Sequence, residues 1–183
     1  LEEASPEEIS QKTGISFDGT TFRLESLGVP VTISYPNYQI TPTLDQWHCL
    51  TLLHYLHLAD GTPLTNKQIS FSDYKDGMIR GSGFDYDVER TVSQKLGSLH
   101  PKELERRCRK LGGKLLPSNA DFCVEFSFAP NYPIWLKIWF ADEEFPASGR
   151  MLLNASSEHY LSIEDAVTLG ALILEKLLFE GEW

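Results

Sequence analysis

The stretch that most constrains this chain runs from Trp135 to Leu178. Trp135, Lys137 and Trp139 alternate with Leu136, Ile138 and Phe140, a period of two rich in aromatic and β-branched residues that predicts a sheet strand covered on both faces. Asp142-Glu143-Glu144, Phe145-Pro146 and Ser148-Gly149 then stop and turn the chain, and Arg150 to Ala155 reads as the returning strand. Ser162, with Asp165 three residues on, resembles a capping box and starts a helix. Ile163, Ala166, Val167, Gly170, Ile173, Leu174, Leu177 and Leu178 fall on one stripe of it, the face that covers the sheet. Gly170 in that stripe predicts a close backbone approach. Upstream, Phe122, Val124, Phe126 and Phe128 alternate with Cys123, Glu125 and Ser127, which completes an antiparallel meander of three strands. The fold class is α+β: an antiparallel sheet with helices packed mainly on one face.

The rest of the chain supplies the other layers. Ser5-Pro6-Glu7-Glu8 predicts a short helix that stops at Gly14, and Thr20–Leu24 with Val29–Ser34 suits a hairpin, Pro30 and Pro36 marking edges. Thr43 with Gln46 looks like a second capping box for a helix over Leu44–Ala59, apolar nearly all round and expected to be buried on most sides. Gln68–Phe71 is a short extended piece, and Gly77, Gly81 and Gly83 read as a loose connection. Phe84–Leu96 and Pro101–Leu111 are two further helices. At 183 residues and 42% hydrophobic the chain suits one domain over 1–183. Its parts are an N-terminal helix and hairpin (1–42), a helical middle (43–112) and the meander with its terminal helix (113–183).

Charge and cysteine usage exclude several classes. A formal net charge of -10 disfavours non-specific binding to nucleic acid or to an anionic membrane. No run approaches the roughly 20 apolar residues of a membrane span, and no secretion signal is evident, so a cytoplasmic location is expected. Cys49, Cys108 and Cys123 are widely spaced, which predicts free thiols, no metal and no cofactor. A start at Leu1 reads as an excised or processed piece.

Four groups of residues carry potential chemistry. Asp142, Glu143 and Glu144 on one loop, with Glu158 and His159 on the next connection, form a candidate catalytic or divalent-metal site if the loops meet; successive connections normally alternate ends, which argues for a solvated turn. His54 and His57 share a helix face without the spacing of a zinc motif, so a packed pair is expected. Cys108 is the expected reactive thiol because Arg106, Arg107, Arg109 and Lys110 would stabilise a thiolate. With Lys102 those cations are the densest basic patch, read as helix C-terminal charges or as an anion or acidic-partner site. Leu172 and Phe179 project opposite the core stripe of the terminal helix, near Leu169 and Trp183, and predict an association surface for a homodimer or a partner.

The stretches HYLHLADGTPLTNKQISF (His54–Phe71) and DEEFPASGRMLLNASSEHYLSIEDAVTLG (Asp142–Gly170) resemble an uncharacterised family of bacterial and archaeal proteins, a domain of unknown function, over most of the chain. In that family the domain stands alone or is fused to a small cysteine-rich iron-sulfur domain, and some members belong to anaerobes with corrinoid and carbon monoxide chemistry. The resemblance implies a setting in anaerobic redox or one-carbon metabolism and an iron-sulfur or corrinoid protein as partner. It assigns no catalytic residue. This chain has no closely spaced cysteines for a cluster of its own. The expectation is therefore a non-catalytic binding or accessory module, with an enzyme at the acidic loop near His159 and a structural dimerisation module as alternatives.

Overall fold

The computed structural model describes residues 4–179. Helix α1 (Pro6–Thr13) is capped by Ser5, whose side chain accepts the Glu8 amide, and ends at Gly14 in the left-handed region. Strands β1 (Ser16–Phe17), β2 (Thr21–Ser26), β3 (Val29–Ser34) and β4 (Ile40–Thr41) follow as a four-stranded antiparallel sheet in that order, so the predicted hairpin gains a strand on each side. Next come α2 (Gln46–Leu58), β5 (Gln68–Ile69), α3 (Gly77–Gln94), α4 (Pro101–Lys110) and β6 (Lys114–Leu115), then β7 (Phe122–Ala129), β8 (Tyr132–Trp139), β9 (Ser148–Asn154) and α5 (Ile163–Leu178). The second sheet has the order β5-β9-β8-β7-β6: the predicted meander forms its centre, and a two-residue strand flanks each side. Antiparallel sheets with helices laid on them place the chain in the α+β class. Among the described residues, no helix is long and apolar enough to cross a membrane.

Register decides which side chains meet. Val124 pairs with Leu136 and Leu136 with Met151, while Phe126 pairs with Ile134 and Ile134 with Leu153, so these residues share one face, and all are buried. Helices α3 and α5 lie over it. Val92 packs where a Cβ on Gly149 would be, and the Phe84 ring sits 4.6 Å from that of Phe71. The opposite face is covered only in part: Trp135 is buried, its Nε1 donating to Glu125, while Lys137, Trp139 and Leu152 are half-buried and Arg150 is exposed. The two sheets are tied by backbone, since the Leu27 amide at the β2–β3 turn donates to the Ser127 carbonyl at 2.8 Å.

Three local expectations are corrected. The cap of α2 is Asp45, which accepts the Trp47 amide, not Thr43. That helix buries one face only, His48, Thr51, Leu52, Tyr55 and Leu56, and leaves Trp47, Leu50 and Leu58 more than 40% exposed. Hydropathy hides the face because the buried polar groups are satisfied internally, Thr51 by the Trp47 carbonyl and His48 by Ser26. The glycines at 77, 81 and 83 belong to α3 rather than to a loose connection. A Cβ on Gly81 would fall 2.0 Å from the Phe71 carbonyl oxygen, so glycine lets α3 reach the segment after β5. The close approach predicted at Gly170 is real, but its partner is the Phe84 ring of α3, 2.5 Å from where a Cβ would stand. Ser162 and Asp165 do form the predicted capping box of α5.

Candidate functional site

The acidic loop between β8 and β9 borders a cleft of about 1160 Å³, which also touches Asp85, Glu89, Asp121, Trp139, Arg150 and Leu152. Each carboxylate on its wall fixes a backbone segment. Asp142 accepts the Glu144 and Phe145 amides, both at 2.8 Å, Asp85 accepts those of Phe71 and Ser72, Glu89 that of Gly149 and Asp121 that of Phe140. The Phe145 and Glu144 amides hold Asp142 below the usual carboxylate range. These carboxylates are positioned by the fold, with the exposed Arg150 beside them; among the described residues Arg150 makes no ion pair with the loop. Among the described residues no three His, Cys, Asp or Glu are grouped to hold a metal ion.

The cleft follows a free strand edge. β5 pairs only with Leu153 and Asn154, so among the described residues Ser148–Leu152 has β8 on one side and no strand on the other. The Gly149 amide points to that open side, where Glu89 takes it at 3.0 Å. Backbone groups of alternate strand residues point the same way, so those of Met151 face the cleft as well.

Glu158 and His159 lie elsewhere. They line a pocket of about 430 Å³ with Asp60, Tyr74 and Lys75, beyond the other end of β9, whose seven residues span about 23 Å. The loops therefore do not meet, and the five candidate residues do not form one site. What the structure brings together instead are two imidazole–carboxylate pairs: His159 Nδ1 with Asp60 and His54 Nδ1 with Asp165, each at 2.7 Å. Slight desolvation raises the Asp60 pKa, but hydrogen bonds from Thr62 and His159 outweigh it and hold Asp60 down to about 2. Glu158 accepts the Lys75 amide. Both stretches that carry the family resemblance meet here, with Tyr160 donating to the Thr62 carbonyl and its ring stacked 5.4 Å from Tyr55.

The thiol and the basic patch read differently in three dimensions. Cys108 is fully buried, and burial followed by Glu105 pushes it up to about 12, so the expected low-pKa thiol is overturned. Sequence neighbours on a helix point about 100° apart, and the cations face other groups. Arg106 and Arg107 both pair with Glu103 and Arg109 pairs with Glu105, while Arg107, buried, also donates to the Leu177 carbonyl. The patch is thus largely neutralised within α4; Lys102 and Lys110 remain exposed. The association stripe fails for Leu172, which is 6% exposed because α5 is the central helix, touching α2, α3 and α4. Phe179 is 53% exposed, and Trp183 lies outside the described residues.

Sequence reading missed the open β9 edge, since nothing in Ser148–Leu152 signals where β5 stops. It also missed Ser26 and His48, whose pairing at 2.8 Å joins positions 22 residues apart. No curated protein and no solved structure matches the chain. The family described as Domain of unknown function (DUF3786) matches residues 5–176, from the cap of α1 into the last turns of α5, and the chain belongs to that family.

Proposed function

We propose that this domain is a non-catalytic binding module whose acidic cleft takes an extended, lysine- or arginine-bearing segment of a partner protein. The observation that carries this reading is the free edge of β9, open over Ser148–Leu152 along a cleft walled by Asp85, Glu89, Asp121 and Asp142. An added strand would pair its backbone with Met151, the mode by which exposed sheet edges take extended peptides. Its cations would meet carboxylates already held in place by amides, and Trp139, Phe140 and Phe145 offer ring faces beside them. The family resemblance supplies the setting: an accessory role in anaerobic redox or one-carbon metabolism, with the segment borne by an iron-sulfur or corrinoid protein.

Fluorescence anisotropy with labelled ten-residue peptides tests this. A Lys/Val alternating peptide binds, weakens as salt rises, and loses at least fivefold in affinity to a Glu143→Lys/Glu144→Lys variant, whose exposed carboxylates make no hydrogen bond among the described residues. Equal binding of a Glu/Val peptide, or an unchanged affinity in the variant, overturns it. A second reading, an enzyme, is favoured by one observation: Asp60 holds His159 through Nδ1, which presents Nε2 for proton transfer at a pocket.

A further inference from the structure

Another pocket, of about 430 Å³, lies on the partly covered face of the second sheet, beside the loop that joins α2 to β5. Register fixes which side chains enter it. Glu125 pairs with Trp135 and Ser127 with Pro133, while Gln68 pairs with Asn154, two residues beyond Leu152, the other partner of Trp135. Alternation therefore stands Glu125, Ser127, Pro133, Trp135, Gln68 and Asn154 on the face opposite Val124, Phe126 and Leu136, and all of them line the pocket. Asn154 fixes the remaining wall. Its side chain accepts the Thr65 amide and hydroxyl, each at 3.1 Å, and donates to the Thr65 carbonyl at 2.8 Å, which holds the loop carrying Leu64 and Asn66 against the sheet.

Glu125 is the one charged residue of this lining. Its Oε2 accepts the Trp135 indole N–H at 2.9 Å, and it makes no ion pair among the described residues. A carboxylate offers about four acceptor positions, so most of its capacity is unspent. The cations that share the face by register, Lys114, Lys137 and Arg150, do not line the pocket, and Lys137 turns to Asn119. Trp135 is buried, and an indole kept from water attracts a cation more strongly than an exposed one. Leu64, Ala129, Pro130 and Pro133 supply apolar wall. We infer that this pocket binds a small free alkylammonium, its N–H groups on Glu125, its charge beside Trp135 and its carbon chain on the prolines and Leu64. Volume and lining agree with the general character of ligand sites, apolar walls with a few placed polar groups. The inference is independent of the cleft, which shares the sheet face but none of these lining residues.

NMR titration of the whole chain with n-butylammonium chloride, followed on the Trp135 indole N–H, provides the test. Butylammonium shifts that resonance in a saturable way, n-butanol and butyrate at equal concentration do not compete, and Glu125→Gln, which keeps an acceptor for the indole, weakens binding at least tenfold. Gln68→Lys, at an exposed position on the rim, serves if that variant does not fold, with at least a threefold loss expected. The Glu143→Lys/Glu144→Lys variant keeps its butylammonium affinity within twofold, which separates this site from the cleft. An unmoved Trp135 resonance, equal competition by butanol or butyrate, unchanged affinity in the folded variant, or an equal loss in the cleft variant overturns the proposal. So does displacement by the Lys/Val peptide, which would make a lysine side chain the source of the ammonium.

Discussion

Strand β8 has two faces, both rich in apolar groups, that are covered to different extents. Tyr132, Ile134, Leu136 and Ile138 are all fully buried beneath helices, while on the other face Trp135 is buried but Pro133, Lys137 and Trp139 keep part of their surface in water. Both faces are rich in large apolar groups, so aromatic content does not mark cover. What marks it is the neighbour: α3 and α5 sit over one side, and the other meets only loops and the cleft. A large side chain on the uncovered face is better explained by what it receives than by what it supports.

The largest expected effect lies on the covered side. Leu136→Ala leaves a cavity between β7, β9 and the helices and lowers unfolding free energy by about 2–5 kcal/mol in urea titration; a loss under about 1 kcal/mol would mean that this face is not the core. His48 sharpens the contrast through pH. Its folded pKa is depressed from 6.5 to about 4, so between those values the unfolded chain binds more protons and stability falls as pH falls. The fall amounts to about 2–4 kcal/mol from this group and is complete near pH 4. In His48→Gln the slope over that window should shrink; an unchanged slope would place the imidazole in water. The smallest effect is on the open side, where Trp139→Ala costs within about 1 kcal/mol while weakening the basic peptide. A cost equal to that of Leu136→Ala would erase the distinction between the faces.

Local chemistry made much of the fold legible. Ser5 with Glu8 and Ser162 with Asp165 announce helix starts within four residues, and the alternation in Phe122–Phe128 sets a strand whatever lies beyond it. What failed depended on distant partners. Gly77 and Gly81 read as loop because the reason for glycine is the carbonyl of Phe71, outside the helix. Cys108 looked reactive because charges were counted along the sequence, whereas Glu103 and Glu105, one turn away, take the arginines. The acidic loop was visible as a cluster, but its place on a cleft follows from Gln68 and Ile69 pairing with Asn154 and Leu153 and going no further.

The brevity of β5 and β6 has a consequence for how the protein behaves in a crowd. Open sheet edges are the usual seeds of fibrous growth, each chain templating the next. Here both outer strands contribute only two residues, and the longer free edge between the end of β5 and the acidic loop is five residues, about 17 Å. An edge this short, bounded by β5 at one end and the acidic loop at the other, offers few rungs to a second copy, so the geometry that would suit one guest disfavours open-ended stacking.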